Sequence, residues 1–175
     1  HEGHVSLIKQ SLLENNFTIT SIFVNPLQFN NPDDLKKYPR TLDSDIQMLE
    51  LAGCNALFVP EASEVYSKDE KPLQFDLHNL ANVMEGKFRP GHFTGVITIV
   101  HKLFLWIKPD FAYFGEKDFQ QLAVIRKMAD ALHPDIVVKG CPTIRETNGL
   151  AMSSRNVRLS KSVRNDASII YKAMQ

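Results

Sequence analysis

Short β-rich runs alternate along this chain with segments of helical periodicity, and this order constrains the fold more than any other feature. Runs at 18–24, 56–59, 111–114 and 136–139 predict strands. Segments 41–52, 93–107 and 119–132 repeat apolar residues at the three- and four-residue spacing of helices. Strands that alternate with helices favour a parallel sheet covered on both faces, so we expect an α/β fold.

The ends of several elements carry sequence signals. Thr41 is placed to cap the helix over 41–52, and Ser160 to cap a last helix that runs to the chain end. The apolar positions Val5, Ile8 and Leu12 predict a helix that follows His4. Residues 60–90 show no clear pattern, and we expect loops and a short hairpin there.

Composition limits the classes of partner. The 175 residues include 20 basic and 20 acidic side chains, so no net field attracts nucleic acid or an anionic membrane. The apolar-rich run at 93–107 contains His101 and Lys102 and is too short to span a bilayer. Cys54 and Cys141 lie far apart in no ligand-like spacing, which predicts buried thiols in a reducing cytoplasm and no structural zinc.

The chain opens on His1-Glu2-Gly3-His4, directly before a helical pattern. Residues at i and i+3 share a helix face, and the free N–H groups of a helix start attract anions. Gly3 leaves no side chain to block a phosphate. This tetrapeptide is similar to the HxGH signature of nucleotidyl-transferring enzymes, although in isolation two solvated histidines would explain it better.

Polar clusters follow two predicted strands, where ligands of an open parallel sheet bind. Asn25 and Gln28 follow the first strand, and their amides suit a hydroxyl or carboxylate. Gly115-Glu116-Lys117-Asp118 follows the third, with Gln121 one helical turn later. Lys117 adds positive charge where helix amides favour an anion, or else forms an ordinary solvated pair with Asp118.

A further cluster, Met152-Ser153-Ser154-Arg155, follows Gly149 and is expected to be a loop. Two hydroxyls and a guanidinium can hold phosphate oxygens, the arginine as a bidentate fork. The segment is similar to the mobile KMSKS loop of class I aminoacyl-tRNA synthetases. His92 is expected to cap or solvate a helix start, a substrate contact being possible, and His78, His101 and His133 are expected to be structural or exposed.

An ordered set of segments resembles the pantoate–β-alanine ligase (pantothenate synthetase) family. The set comprises Ser21–Phe29 (Ser-Ile-Phe-Val-Asn-Pro-Leu-Gln-Phe), Tyr38-Pro39-Arg40, Arg89–Phe93, Phe114–Asp118 with Gln121, and Arg145-Glu146 through Asn156. The likeness extends over essentially all of the chain. It implies a Rossmann-like nucleotide- and pantoate-binding domain over 1–143, followed at 144–175 by the beginning of a smaller C-terminal domain.

The resemblance also implies an activity. ATP and pantoate would form an enzyme-bound pantoyl adenylate and pyrophosphate with Mg²⁺, and the amine of β-alanine would then displace AMP to give pantothenate, on the route to coenzyme A. Members of the family are commonly cytoplasmic homodimers, with small molecules rather than nucleic acid or membrane as partners. The sequence assigns no metal ligand.

The roles implied by the resemblance fall on residues that match the family's motifs. His1, His4 and Lys117 would be catalytic, with His4 as proton donor. Gln28 and Gln121 would hold pantoate, and Asn25 would organise that site. The ATP-binding set would be His1, Gly3, His4, Gly115, Glu116, Lys117, Asp118, Ile144, Met152, Ser153, Ser154 and Arg155.

The chain departs from the family pattern at both ends. The family's segment before HxGH, with a first strand and a Met-Gly turn, is absent, and its chain continues beyond Gln175. We therefore expect a fragment that is inactive or nearly so in isolation. An adenylyltransferase with a phosphate acceptor and a non-catalytic nucleotide-binding module remain as alternatives, whereas the absence of GxGxxG and HExxH disfavours a dinucleotide oxidoreductase and a zinc protease.

Overall fold

The computed structural model describes residues 1–173. The helices are α1 (Glu2–Glu14), α2 (Pro32–Lys37), α3 (Leu42–Ala52), α4 (Ala62–Val65), α5 (Met84–Phe88), α6 (His92–Ile107), α7 (Phe119–Leu132), α8 (Lys161–Asp166) and α9 (Ile169–Ala173). The strands are β1 (Ile19–Ser21), β2 (Ala56–Phe58), β3 (Phe111–Gly115) and β4 (Val137–Cys141). The predicted α/β class and the predicted order of strands and long helices are confirmed.

The strands form two parallel pairs. β1 pairs with β2, with Ile19 opposite Ala56, and β3 pairs with β4, with Phe111 opposite Val137. Within residues 1–173, no strand joins the two pairs by hydrogen bonds. The sequence predicted one sheet, so this expectation is corrected to two parallel ribbons.

The two faces of the β3–β4 pair carry different helices. Neighbouring residues of a strand point to opposite faces. In β4, Lys139 pairs with Glu14 at the end of α1, whereas a side chain at Gly140 would meet Leu122 of α7 at 3.0 Å. The helices α1 and α7 therefore cover opposite faces of this pair, as the predicted architecture requires.

The core forms around α6. Most of its residues before His101 are buried, whereas Leu105 and Trp106 near its end are about half exposed. Phe93 and Ile97 are almost fully enclosed and belong to one cluster with Ile125 and Met128 of α7. Full burial of such a side chain contributes roughly 1.5–3 kcal/mol relative to exposure, so the α6–α7 contact is a large source of stability.

Three local predictions are wrong. Residues 60–90 contain α4, a 3-10 helix (His78–Ala81) and α5 instead of a hairpin. The last predicted helix is divided into α8 and α9, although Ser160 does cap α8 by accepting the Val163 N–H at 3.3 Å, and residues 174–175 lie outside the described residues. Thr41 precedes α3 but its hydroxyl donates to the Asp45 carboxylate rather than accepting a helix N–H.

Two further features concern single side chains. His101 and His133 hydrogen-bond to each other at 2.8 Å, a pairing that their sequence positions did not indicate. Cys141 is buried and Cys54 is half-buried, and both are free thiols.

Within the described part of the chain, no helix has the length and apolarity needed to cross a membrane.

Candidate active site

The His1–His4 segment forms the start of α1. His1 precedes the helix, and its carbonyl accepts the His4 N–H at 2.8 Å. The two imidazole rings stack with their centroids 3.8 Å apart. Both rings therefore lie at the helix end whose free N–H groups favour an anion, as the i, i+3 spacing predicted.

Gly3 lies close to the segment Met152-Ser153-Ser154-Arg155, here called the serine–arginine segment. A Cβ at residue 3 would lie 3.0 Å from His1 Nδ1 and 3.6 Å from the Cβ of Met152. Nδ1 of His1 is buried and has no hydrogen-bond partner among residues 1–173. Two motifs that are far apart in the sequence are thus adjacent in the structure, and a larger residue than glycine would press on the His1 ring.

The segment after β3 lies within electrostatic range of His4. β3 ends at Gly115, and a single 3-10 turn, Glu116–Asp118, leads into α7. Burial in the cleft lowers the pKa of His4 most, nearby positive charges, Lys117 among them, lower it further, and the Asp118 carboxylate opposes the shift. His4 is therefore a neutral N–H donor at pH 7, and Lys117 adds positive charge near this helix end.

Lys117 also has a carboxylate neighbour. Its Nζ lies 2.7 Å from Asp118 Oδ1, and both side chains are more than a third exposed. The ordinary solvated pair that the sequence allowed is therefore present, and such pairs contribute little to stability. Around Gly115 the space is open, because a Cβ there would meet no described atom within 4 Å.

Residues 144–152 fold back on themselves before the serine–arginine segment. The Met152 N–H donates to the Ile144 carbonyl at 2.9 Å, and Arg145 and Ala151 form an antiparallel bridge. This turn delivers Met152 to Gly3. The Ile144 carbonyl therefore helps to hold Met152 in this position.

The predicted loop at 152–155 is in part a helix. Ser154–Arg158 form a 3-10 helix, and the Ser153 hydroxyl accepts the Arg155 N–H at 3.2 Å. Asn156 is buried and donates to Glu146 Oε1 at 2.8 Å, which ties this short helix to the preceding turn. The segment is therefore more ordered than its composition indicated, and one of its two hydroxyls already has a structural bond.

Arg155 is held by an ion pair. Its Nη2 lies 3.1 Å from Asp34 Oδ2 in α2, and Asp34 also accepts from Arg158 at 2.8 Å. The two guanidinium hydrogen bonds lower the pKa of Asp34, that of Arg158 most. The Arg155 guanidinium also lies 5.1 Å from the centre of the Tyr38 ring. Sequence patterns did not reveal Asp34 or Tyr38 as partners of this arginine.

Asn25 and Gln28 form a separate amide cluster. Asn25 is only 2% exposed and starts the 3-10 helix Pro26–Gln28 by accepting the Leu27 N–H at 3.2 Å. Its Nδ2 donates to the Gly95 carbonyl at 3.0 Å and to Gln28 Oε1 at 3.2 Å. A Cβ at Gly95 would lie 2.3 Å from the Leu27 carbonyl oxygen, so glycine is what permits this contact.

Two basic side chains fix the backbone of Gln28. His92 Nδ1 lies 2.8 Å from the Gln28 carbonyl oxygen, and Arg89 Nη2 donates to it at 3.2 Å. His92 is 5% exposed, and this burial lowers its pKa, although the bond to Gln28 opposes the shift. The sequence predicted that His92 caps or solvates the helix start. In the structure it instead anchors the amide cluster through the Gln28 carbonyl.

Gln121 lies in the first turn of α7 and is half-buried. Its neighbour Gln120, which sequence reasoning overlooked, is 6% exposed and donates to the carbonyls of Leu80 and Val83 at 2.6 and 2.8 Å. Gln120 is thus a structural residue that ties the 80–85 segment to α7. Its sequence position gave no signal that separates it from Gln121.

A cleft of about 1950 Å³ extends from the His1–His4 end along the space between β1 and β3. Among the predicted site residues, its wall includes His1, His4, Met152, Ser153 and Ser154. Tyr38 and Arg40 also line it. The predicted residues that are not part of this wall are Gly3, Asn25, Gln28, Gly115, Glu116, Lys117, Asp118, Gln121, Ile144 and Arg155.

The carboxylates and histidines do not gather in one place. In the part of the chain that the structure describes, no group of three or more His, Cys, Asp or Glu side chains could hold a metal ion. Asp33 and Asp34 lie in the first turn of α2, and Asp34 pairs with arginine side chains.

Comparison with known proteins gives consistent matches. The pantothenate synthetase of Bacteroides fragilis (strain YCH46) is 54% identical over 167 residues, which are 95% of this chain and 59% of that protein. The enzyme of the same name from Flavobacterium psychrophilum is 50% identical over 175 residues, 99% of this chain and 62% of that protein. The chain thus spans about three fifths of the length of these curated relatives.

Solved structures match in fold as well as in sequence. Pantothenate synthetase from Thermus thermophilus superposes with a TM-score of 0.95 at 46% identity, covering 99% of this chain and 63% of that one. Pantoate-beta-alanine ligase from Francisella tularensis, complexed with beta-gamma ATP and beta-alanine, gives 0.94 at 42% identity, covering 100% of this chain and 67% of that one. The sequence model of the pantoate-beta-alanine ligase family matches residues 1–175, and the chain belongs to that family.

Proposed function

We propose that the protein carrying this chain joins pantoate to β-alanine at the expense of ATP. The pantoate carboxylate attacks the α-phosphorus of ATP, pyrophosphate leaves, and pantoyl adenylate forms. The amine of β-alanine then attacks the activated carbonyl and AMP leaves, giving pantothenate. The observation that carries the proposal is the proximity of Gly3, in the His1–His4 helix end, to Met152, because it brings together two motifs that we assign to phosphate binding.

The phosphate half of the site supports this chemistry. Adenylation builds negative charge on the α-phosphate and on the departing pyrophosphate, and fixed donors and positive charges stabilise such a transition state. His4 and the free N–H groups of α1 are donors, and Lys117 lies within range of the same helix end. Arg155 supplies a second positive charge once it releases Asp34.

The amide half supports an acyl substrate. Gln28 is neutral, so it can bind the hydroxyls and carboxylate of pantoate without adding charge beside the triphosphate, and Asn25 organises it by donating to its Oε1. The Gln28 backbone is fixed by His92 and Arg89, which limits the entropy lost when a substrate binds. Gln121 is proposed as the second amide that holds pantoate.

Other parts of the proposal concern the metal, the assembly and the location. ATP would enter as its magnesium complex, and because Mg²⁺ is commonly held by substrate phosphates and few carboxylates, we assign no protein ligand. We also propose a cytoplasmic homodimer and a domain boundary between residues 143 and 144. Light scattering after size-exclusion chromatography tests the dimer, and limited proteolysis tests the boundary.

The decisive experiment is exchange of labelled pyrophosphate into ATP. The proposal predicts exchange that requires pantoate and Mg²⁺ but not β-alanine, since the adenylate forms before the amine attacks. Exchange that required β-alanine, or that occurred without pantoate, would contradict the formation of pantoyl adenylate before the amine attacks. Transfer of AMP to a phosphate acceptor instead would identify an adenylyltransferase, and ATP binding without exchange would identify a non-catalytic module.

A further inference from the structure

The buried amide of Asn25 has a hydrogen-bond donor that comes from another part of the chain. The Tyr66 hydroxyl, at the end of α4, donates to Asn25 Oδ1 at 2.8 Å. Together with the Leu27 N–H, this gives Oδ1 two donors, while Nδ2 donates to Gly95 and Gln28. Every hydrogen-bonding position of the Asn25 amide is therefore satisfied.

The surroundings keep Tyr66 protonated. Its ring lies in contact with the core cluster, and Lys102 Nζ lies 5.7 Å from the ring centre and pairs with Glu70. Burial raises the pKa of the Tyr66 phenol, and the Glu70 carboxylate adds to the shift. The hydroxyl thus remains a donor throughout the physiological pH range.

The consequence reaches Gln28. Gln28 Oε1 accepts from Asn25 Nδ2, and this hydrogen bond fixes the orientation of the Gln28 amide. The other terminal atom of this amide is Nε2. Within residues 1–173, that Nε2 makes no protein hydrogen bond, so both of its N–H groups are available to an acceptor oxygen. A chain of hydrogen bonds therefore leads from Tyr66 through Asn25 to a side chain with free donors.

We propose that Tyr66 is a positioning residue which, through Asn25, holds the Gln28 amide as a donor to the oxygens of the hydroxy-acid substrate. The inference rests on the proposed function. Tyr66 itself does not contact the substrate, and neither the family likeness nor the sequence pattern assigned it a role. The substitution Tyr66→Phe removes one donor and retains the ring, so the packing of α4 on the core is preserved.

The test is steady-state kinetics of Tyr66→Phe in the full-length protein that carries this chain. The KM for pantoate should rise about tenfold, the effect of removing one hydrogen bond to a buried acceptor, with the KM for ATP and kcat within about twofold of wild type. Tyr171→Phe is the matched control, because it removes the same hydroxyl from a tyrosine whose ring packs on Arg145, away from Asn25 and Gln28. An unchanged KM for pantoate in Tyr66→Phe, or an equal rise in Tyr171→Phe, would overturn the inference.

Two additions separate this inference from a purely structural effect and from the proposed function. In an Asn25→Ala background, Tyr66→Phe should have no further effect on the KM for pantoate, since Tyr66 acts through Asn25. The side-chain NH₂ signals of Asn25 and Gln28 in ¹⁵N spectra should shift in Tyr66→Phe, and unshifted signals refute the relay. If the wild-type protein shows no pantoate-dependent exchange, the proposed function is wrong. The NH₂ signals then still test whether Tyr66 positions Gln28 through Asn25.

Discussion

At the scale of single residues, the two polar side chains near the His1–His4 helix end, His4 and Lys117, differ in what they can contribute to catalysis. His4 is neutral at pH 7 because burial lowers its pKa, so it contributes an N–H donor. Lys117 is charged but partly exposed and paired with Asp118, so in the free protein its field is screened. Under the proposed function, a bound nucleotide would exclude water and strengthen the interactions of both groups, as electrostatic stabilisation in a closed site requires.

We therefore predict that His4→Ala and Lys117→Ala each lower kcat by about 10²-fold or more, the effect of losing one preorganised donor. Under the proposed function, both groups would face charge that develops during adenylation. Steady-state kinetics measure this, with Lys9→Ala as the control, because Lys9 is an exposed cation on the same helix. A raised KM for ATP with normal kcat would mean that both residues bind ground state and transition state equally.

A second residue-scale prediction contrasts two glycines. A Cβ at Gly95 would lie 2.3 Å from the Leu27 oxygen, whereas one at Gly115 meets no described atom within 4 Å. Gly95→Ala should lower the free energy of unfolding by about 1–3 kcal/mol, as overpacking does. Gly115→Ala should unfold like wild type and weaken only ATP binding. Urea denaturation of both variants checks this, and equal stabilities would show that the Leu27 contact relaxes freely.

At the scale of elements, α1 is fixed at the end opposite its histidines. Glu14 accepts hydrogen bonds from Lys139 of β4, from Tyr113 of β3 at 2.7 Å, and from Gln10. These bonds, that of Lys139 most, lower the pKa of Glu14 from 4.5 to about 2. The direction of α1, and so the position of His1 and His4, depends on this contact with the sheet.

The shift gives a prediction for acid stability. A carboxyl whose pKa is lower in the folded protein stabilises it above the unfolded pKa, and that contribution is lost as the pH falls toward the folded value. The stabilisation by Glu14 should thus disappear between about pH 4.5 and 2. Thermal unfolding measured across this range should show a smaller acid loss for Glu14→Gln than for wild type. Glu50→Gln, an exposed change on α3, should follow wild type.

Elements were predictable from the sequence where local periodicity decided them. The bounds of α3, α6 and α7 agree with the predicted ranges to within one or two residues, because burial on one face requires regular apolar spacing. Residues 60–90 were mispredicted because distant side chains hold them: Gln120 binds the carbonyls of Leu80 and Val83, and the Thr98 hydroxyl accepts the Leu73 N–H. Such bonds leave no local pattern.

The break between α8 and α9 has a local cause that composition did not reveal. The Ser168 hydroxyl donates to the Asn165 carbonyl at 2.6 Å, which offers the backbone an alternative to the helix. Serine occurs in helix interiors often enough that its position alone does not predict an end. The sequence therefore indicated the helix and its cap, but not its interruption.

At the scale of the whole molecule, the candidate site joins segments from both ends of the sequence. The proximity of His1–His4 to Met152 was expected from chemistry, since both motifs suit a phosphate. The partners that hold the site together were not predicted, because an arginine in a motif does not indicate which carboxylate will pair with it. Asp34 of α2 is that carboxylate, and it connects the early part of the chain to the 3-10 helix Ser154–Arg158.

We predict that Asp34→Asn loosens this connection without unfolding the protein. Asp34 binds both Arg155 and Arg158, but the arginines are 47% and 34% exposed, and exposed pairs contribute only about 0.2–1 kcal/mol each. A local loss of about 1 kcal/mol should speed amide hydrogen exchange in Ser154–Arg158 roughly fivefold and leave exchange in α6 unchanged. Asp33→Asn, in the same helical turn, is the matched control. Unchanged exchange in Asp34→Asn, or equal acceleration in Asp33→Asn, would show that other contacts hold the arginine segment in place.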